Sequence, residues 1–468
     1  MSLRRTVVQV FSSQIATNFA SIIAFVYFTR ALGSNGYGSY VLFLGLVNLA
    51  NFVAGLGIGG AVKKRISEGE PDVFLTGLCL SLIPLVIILS IIAILLPYVN
   101  SYIGVQVGHY LLLAIVISQF EKYLIVSVEG QADVDTAASG RLLQRIVLVT
   151  SGICLIYMGF GVLGLVVALI VSWGVTSLWL LTHLSVDLGW PTMNAAYSLV
   201  EYAKFNFVAD AGGRLYNWTD TLVIGLFLGQ SFVGIYEVAW RISGFTTILA
   251  KSIGKTIFPT VSESHARDKM NTIESLIPNA VTGAIVLIVP AGVGALVVGQ
   301  ELIQVGFGTE YVAAATPLVI LMCGRIFEGF KDVLGEVLFG IDRPKDNAKA
   351  VFVFIILNIL LNIVFVQEFG LLGAAIATST AFASMSALIA YYLSKVITIK
   401  IDWWQLLMVC FASVGMGAAV LGMKQIVPAE SVVSLAALIV FGVAVYLVLV
   451  AAPKQTRQTI QELAGEIL

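Results

Sequence analysis

The chain has 468 residues, 59% of them hydrophobic and 11% charged, where a soluble domain carries about 45–50% apolar and about 25% charged residues. Net charge is −1, and no Lys/Arg block is longer than the Lys63, Lys64, Arg65 triplet, so nucleic acid is excluded as an expected partner. What remains is an all-α polytopic membrane protein with no soluble domain left over.

Apolar runs of roughly 20 residues, enough to span a bilayer, recur from end to end. In chain order they predict helices over 7–31, 37–62, 73–97, 108–129, 141–159, 162–183, 205–229, 231–258, 274–298, 311–340, 347–367, 371–394, 403–423 and 431–451, which is 14 spans. The first follows Arg4 and Arg5, is longer than a signal-peptide apolar region and lacks a clear cleavage site, so it reads as an uncleaved span.

Alternate loops then differ in Lys/Arg content. One side carries Arg4, Arg5, Lys63, Lys64, Arg65, Arg141, Arg145, Lys204, Arg267, Lys269, Arg343, Lys345, Lys349, Lys395, Lys400, Lys454 and Arg457; the other carries Arg30 and Lys424. Basic residues stay on the cytoplasmic side of short-looped membrane proteins. Both termini are therefore expected in the cytoplasm, with the chain in the cell (cytoplasmic) membrane.

The chain also repeats itself. Leu32-Gly33 followed by Gly38-Ser39-Tyr40 is echoed by Leu228-Gly229 followed by Gly234-Ile235-Tyr236, and the Phe160-Gly-Val-Leu-Gly turn by Phe369-Gly-Leu-Leu-Gly, at offsets of 196 and 209 residues. The second echo also explains GFGVLG at 159–164, which matches a dinucleotide-binding pattern but lacks the strand and βαβ context that the chemistry needs. Repetition predicts an N-terminal six-helix lobe (1–183), a cytoplasmic linker (184–204), a C-terminal six-helix lobe (205–395), two additional helices (396–452) and a cytoplasmic tail (453–468). Units with an even number of spans share one orientation, as in parallel-repeat transporters.

Enzymatic signals are missing from the sequence. Gly254-Lys255-Thr256 resembles the end of a phosphate-binding loop, but position 249 is leucine where the first glycine is needed. His109, His183 and His265 are scattered, and Cys79, Cys154, Cys323 and Cys410 have no metal-ligand spacing. The cysteines are expected to be small buried side chains; no cofactor or metal is expected.

Function is carried by charges inside the spans. The cations are Lys122, Arg214, Arg241, Lys251, Lys255, Arg325 and Lys331, and the acids Glu121, Glu129, Asp210, Asp220, Glu237, Glu328, Asp332 and Glu336. Each charge at bilayer depth costs about 2.5–3.5 kcal/mol on insertion scales, so such groups face protein or water. At roughly 100° per residue, Glu237, Arg241, Lys251 and Lys255 fall within about 80° on one predicted helix, and Arg325, Glu328, Asp332 and Glu336 within about 80° on another. Asn206, Asp210, Arg214, Asn217, Asp220 and Thr221 fall within about 120° on a third.

Asp210 with Arg214 and Glu237 with Arg241 have the spacing of intrahelical ion pairs. Lys251 and Lys255 have no acid within four residues, although Lys255 can also snorkel to the interface. In the first lobe Gln14, Asn18 and Ser21, with Asn48 and Asn51, make a milder polar face of the kind that ordinary interhelical hydrogen bonds produce.

Over essentially its whole length the chain resembles the polysaccharide-transporter (Wzx-type flippase) branch of the multidrug/oligosaccharidyl-lipid/polysaccharide exporter superfamily. The likeness rests on Phe28-Thr-Arg-Ala-Leu-Gly33, Gly36-Tyr-Gly-Ser-Tyr40 and the Asp210 to Pro259 block. The resemblance implies two six-helix lobes around a cationic cavity, and a substrate that is an isoprenoid-phosphate-linked glycan. It also adds Arg30, which closes the first helix in this pattern, to the expected cavity cations Arg214, Arg241, Lys251, Lys255 and Arg325.

The expected activity is a flippase carrying an isoprenoid-(pyro)phosphate-linked oligosaccharide outward by alternating access, alongside glycosyltransferases of the same pathway. Asp210, Asp220, Glu237, Glu328 and Asp332 are the expected counter-charges or sites of a coupling proton or sodium ion. Two alternatives stay open: a multidrug cation antiporter, whose cavity would favour carboxylates over cations, and a glycan polymerase or ligase, which needs a larger outer loop.

Overall fold

A computed structural model describes residues 3–186 and 188–451, with side chains at 21–186, 188–204, 206–207 and 218–451. The helices are α1 (Leu3–Gly55), α2 (Ile58–Ser67), α3 (Val73–Ile94), α4 (Leu96–Ile103), α5 (Gly108–Gly130), α6 (Val134–Tyr157), α7 (Gly161–Leu181), α8 (Met193–Phe227), α9 (Gln230–Phe245) and α10 (Ile248–Ala266). They continue as α11 (Met270–Ile285), α12 (Ile288–Phe307), α13 (Ala315–Gly340), α14 (Pro344–Phe369), α15 (Leu371–Ser394), α16 (Trp403–Ile426) and α17 (Val432–Ala451). No strand occurs among the described residues.

Every predicted span carries helix, and 11 helical segments among the described residues are long and apolar enough to cross a membrane. The difference from 14 has local causes. The first two predicted spans run on as α1, bent where Gly33 takes φ 67°. The predicted eighth span is two helices, α9 of 16 residues and α10 of 19, and only Trp218–Phe227 of the seventh counts as an apolar helix among the described residues.

Breaks inside predicted spans follow from sequence chemistry. Pro290 has no N–H to return to the carbonyl of Val286, four residues back. The rod predicted over 274–298 accordingly divides into α11 and α12 around Val286–Leu287, and the Tyr446 hydroxyl donates to the Val286 carbonyl at 2.6 Å. Helix starts are held by side chains: Asp133 accepts from the Thr136 N–H at 3.1 Å, Thr192 from Ala195 at 3.4 Å and Asp402 from Gln405 at 3.1 Å.

By packing, the chain forms two compact units, Met1–Gly234 and Ile235–Leu468. In the first, α8 lies against α1, α2 and α3, so residues 205–234 pack with the N-terminal helices. In the second, α13 is the central rod, packed against α10, α11, α12 and α15. The sequence division at 184–204 follows the repeat, and the division at Gly234 follows packing.

The two echoes in the sequence have matching backbones. Gly33 and Gly229 both take positive φ (67° and 95°), as do Gly161 and Gly370 (54° and 58°), a region only glycine enters freely. The 159–164 stretch is thus a helix–helix turn between α6 and α7. Within the first unit the echoed Gly38 and Gly234 meet reciprocally. A Cβ on Gly38 would stand 1.8 Å from the Gln230 carbonyl oxygen, and one on Gly234 would stand 2.1 Å from that of Ser34. Ser34 and Ser231 share a hydroxyl hydrogen bond of 2.8 Å beside this crossing.

The cysteines correct the sequence reading: all four are exposed on the bundle surface rather than buried. Bilayer hydrocarbon accommodates a small apolar sulfur as readily as a core does, so burial is not required of it. The same reasoning covers Ile83, Val86, Ile87, Ile91 and Ile94 of α3, whose outward faces are 50–78% exposed.

Candidate functional site

In the second unit the intramembrane charges converge on α13. Arg325 is 2% exposed. Its guanidinium lies 4.0 Å from the centre of the Trp240 ring, donates to the Ser243 hydroxyl at 3.1 Å and the Trp240 carbonyl at 3.2 Å, and pairs with Glu328 one turn along. Glu328, 1% exposed, also takes Lys251 of α10 at 3.2 Å.

Lys331 pairs with Asp332 at 2.6 Å, and Arg241 with Glu237 at 2.6 Å. Burying isolated charges costs far more than burying pairs that are hydrogen-bonded throughout. Such pairing lets this many ions occupy an apolar bundle.

Two glycines set the distances. Gly254 brings α10 onto α13, since a Cβ there would stand 2.8 Å from the Asp332 carbonyl oxygen, and Gly244 lies beneath the Arg325 guanidinium. The phosphate-loop look-alike Gly254-Lys255-Thr256 is therefore a packing glycine with helical neighbours, Thr256 returning its hydroxyl to the Ser252 carbonyl at 2.9 Å.

The predicted continuous stripe of Glu237, Arg241, Lys251 and Lys255 is corrected. The helix is interrupted at Thr246–Thr247, whose N–H groups bond three residues back, to Ser243 and Gly244. Both pieces still reach α13, where Arg325 meets α9 and Glu328 meets α10. Lys251 keeps half its side chain exposed, Lys255 is exposed, and Arg241 is partly exposed. Among the described residues of α9 and α10 the accessible cations are these three, while Arg325 faces protein on every contact given above.

Of the other expected residues, Arg30 is exposed near the α1 bend and Asp220 is buried at 5%. Asp210 and Arg214 fall outside the residues with described side chains. Two polar features were not singled out as sites in the sequence. Asn358 donates to the Thr378 hydroxyl at 3.0 Å and Asn362 to the Asn358 carbonyl at 3.0 Å, all three residues buried between α14 and α15. Asparagines at i and i+4 in an apolar run were the available signal.

The other feature is a cavity of about 320 Å³ in the first unit, lined by Asn51, Gln119, Lys122, Asn206, Lys63, Glu129 and a run of glycines. Lys122 donates to Asn48 at 3.2 Å, Asn51 to Ser118 at 2.7 Å and Asn206 to the Gly57 carbonyl at 3.2 Å. The mild Asn48/Asn51 face thus does form interhelical hydrogen bonds, and it also borders a cavity.

Ion pairs join residues that the loop count placed on one side. Lys63 and Arg141 share Glu129 and Lys400 holds Glu274 at 3.3 Å, while on the opposite side Lys424 holds Glu301 at 2.6 Å.

Residues 27–316 match the family described as polysaccharide biosynthesis protein, and residues 217–442 the family described as lipid II flippase MurJ. The chain is 32% identical over 461 residues to the probable low-salt glycan biosynthesis flippase Agl15 of Haloferax volcanii, covering 98% of each chain. Among solved structures, an inward closed lipid II flippase MurJ superposes with a TM-score of 0.82 at 14% identity, over 95% of this chain and 98% of that one. An inward-facing multidrug resistance MATE family transporter superposes with 0.64 at 16% identity, over 81% and 94%. These two likenesses concern the fold.

Proposed function

The chain belongs to the polysaccharide biosynthesis protein family, and we propose that it acts there as a multi-pass membrane flippase for a lipid-linked glycan. The observation that carries this reading is the end-to-end similarity to a probable glycan biosynthesis flippase. The cation-rich face on α9 and α10 agrees with it, because an anionic head group crossing a bilayer needs accessible positive charge at membrane depth.

In this reading Arg241, Lys251 and Lys255 meet the phosphate or pyrophosphate of an isoprenoid carrier, with Arg214 and Arg30 as further cavity cations. Arg325 positions Lys251: it fixes Glu328, which in turn holds that lysine. Asp210, Asp220, Glu237, Glu328 and Asp332 are the counter-charges, and a proton or sodium ion bound among them would couple release. The two repeated lobes, 1–183 and 205–395, alternate access across the cytoplasmic membrane, both termini inside, and glycosyltransferases of the pathway supply the cargo. No bond is made or broken in the cycle. A drug-cation antiporter fits less well, since the accessible charges of α9 and α10 from Gln230 to Lys255 are cations.

The test is transbilayer movement of a labelled isoprenoid-phosphate-linked oligosaccharide in liposomes holding the purified chain. The label should change leaflets with its covalent structure intact, and Arg241→Gln/Lys251→Gln should abolish movement at unchanged protein abundance. Full movement by the double variant would remove the cation assignment, and no movement by the wild-type chain would remove the function.

A further inference from the structure

The echoes in the sequence leave α16 and α17 without a counterpart. Both are apolar helices with little polar chemistry: the polar side chains of α17 are Ser434 and Tyr446, and the one charge of α16 is Lys424. A hydroxyl or ammonium on an apolar helix is costly unless something bonds it. Tyr446 and Lys424 both find their partners on the rod formed by α11 and α12.

The Tyr446 hydroxyl donates to the Val286 carbonyl, 2.6 Å away, at the joint where Pro290 leaves that oxygen without its helical donor. Lys424 Nζ donates to the Val297 carbonyl at 2.9 Å and pairs with Glu301 at 2.6 Å, both on α12. Between these two grips Gly417 of α16 is pressed onto α12, since a Cβ there would stand 2.6 Å from Val293 Cγ1. Tyr446 itself is buried, in an apolar cluster with Val298, Met416, Val420 and Leu438. Apolar contact has no direction, whereas a hydrogen bond fixes distance and angle. The two polar side chains therefore set where the joint sits.

The same joint is packed against the ion network. On α13, a Cβ at Gly329 would stand 3.0 Å from Ile288 Cδ1, 3.5 Å from the Ala284 carbonyl oxygen and 3.6 Å from the Ala250 Cβ. Ala284 on α11 and Ile288 on α12 flank the joint; Gly329 follows Glu328 in the chain, and Ala250 precedes Lys251. Ala250, Ala284 and Ile288 are fully buried. Close-packed interiors transmit strain, so a shift of the joint reaches the two backbones that carry the Lys251–Glu328 pair.

We propose that Tyr446 is a positioning residue for transport. By holding the Val286 carbonyl it fixes the α11–α12 joint, and through Gly329 and Ala250 it fixes how the Lys251 ammonium is presented to an anionic head group. Lys424 is the second grip on the same rod. The assignment rests on the flippase reading and gives α16 and α17 a part in it: they brace the cation site from behind.

The test uses the full chain in detergent and a water-soluble amine-acylating reagent, with labelling read by mass spectrometry. Lys251 is half exposed, and Lys255, one turn on, is exposed and serves as the internal reference. Tyr446→Phe should raise the Lys251-to-Lys255 labelling ratio about threefold, the loosening of a half-exposed ion pair. It should slow transbilayer movement of the labelled lipid in liposomes about tenfold. Lys424→Met should also raise the ratio, and Lys424→Arg, which can make both bonds, should leave it unchanged. Tyr446→Phe/Pro290→Ala gives Val286 a backbone donor again, so it should recover melting temperature while the ratio stays high.

A wild-type ratio in Tyr446→Phe, or in Lys424→Met should the first variant not fold, overturns the proposal. So does a return to the wild-type ratio in Tyr446→Phe/Pro290→Ala, which would make the hydroxyl a cap for a stranded carbonyl and nothing more. A raised ratio with undiminished lipid movement removes the link to transport. If the wild-type chain moves no lipid while the ratio responds as expected, the flippase reading falls and the coupling of Tyr446 to Lys251 stands.

Discussion

The two units handle buried polarity in opposite ways. Around α13 the polar groups are ions, closed on one another: Arg325 and Glu328 are each nearly inaccessible, and the aromatic face of Trp240 covers the guanidinium. Around α5, amides and charged groups alike border an open space beside Gly55, Gly57, Gly59 and Gly60. A closed ion network fixes geometry, because removing one member strands another in low dielectric. The difference is between a unit whose buried polar groups are closed on one another and one whose polar groups border an open space.

The sharpest way to break that comparison is Arg325→Met, which takes the enclosed guanidinium away from the buried Glu328. It should cost about 3–5 kcal/mol, seen as a large fall in the melting temperature of the purified chain. Arg325→Met/Glu328→Gln should recover much of the loss, and a small effect of the single change would show that the network is not a structural pin.

Next in size are the glycines of the first unit. Gly57→Ala places a methyl at positive φ against the Ala203 carbonyl and should cost about 1–3 kcal/mol. Gly38→Ala, against the Gln230 carbonyl, should cost about the same or more. Gly59→Ala should hold or raise stability, since alanine is favoured over glycine within a helix by up to about 1 kcal/mol. Equal melting temperatures for Gly57→Ala and Gly59→Ala would mean that the backbone wall is loose.

Lys251→Gln separates transport from folding. Half of that side chain is exposed, so stability should change by less than about 1 kcal/mol while transbilayer movement of the labelled lipid falls about tenfold or more. The smallest effect belongs to Lys63→Ala at the cavity rim, an exposed partner of Glu129, expected within about 0.5 kcal/mol by thermal unfolding.

Much of the architecture was legible beforehand because a bilayer imposes one period and one minimum length on every span. All the predicted runs are helical, and the glycine echoes at 33/229 and 161/370 share their backbone conformations. Sequence also identified the charges that cannot face lipid. It missed where rods bend, as at Thr246–Thr247 and Leu56–Gly57, because a helical wheel assumes an unbroken axis.

Burial of cysteine was misjudged for a related reason. In a membrane the outer surface is as apolar as the core, so hydrophobicity does not say which way a side chain points.

The sequence by itself determined that this is a helical membrane protein with echoed glycine motifs and charges within its apolar runs, since these depend only on composition and spacing along the chain. Only the tertiary structure decided that Lys251 answers to Glu328 on another helix, that Arg325 is enclosed, and that Gln119 and Lys122 border one cavity with Gly55 and Gly59. Those pairings join residues tens of positions apart, and which of them meet is set by how closely two helices can approach, a matter of glycines and bends that no single helix reveals.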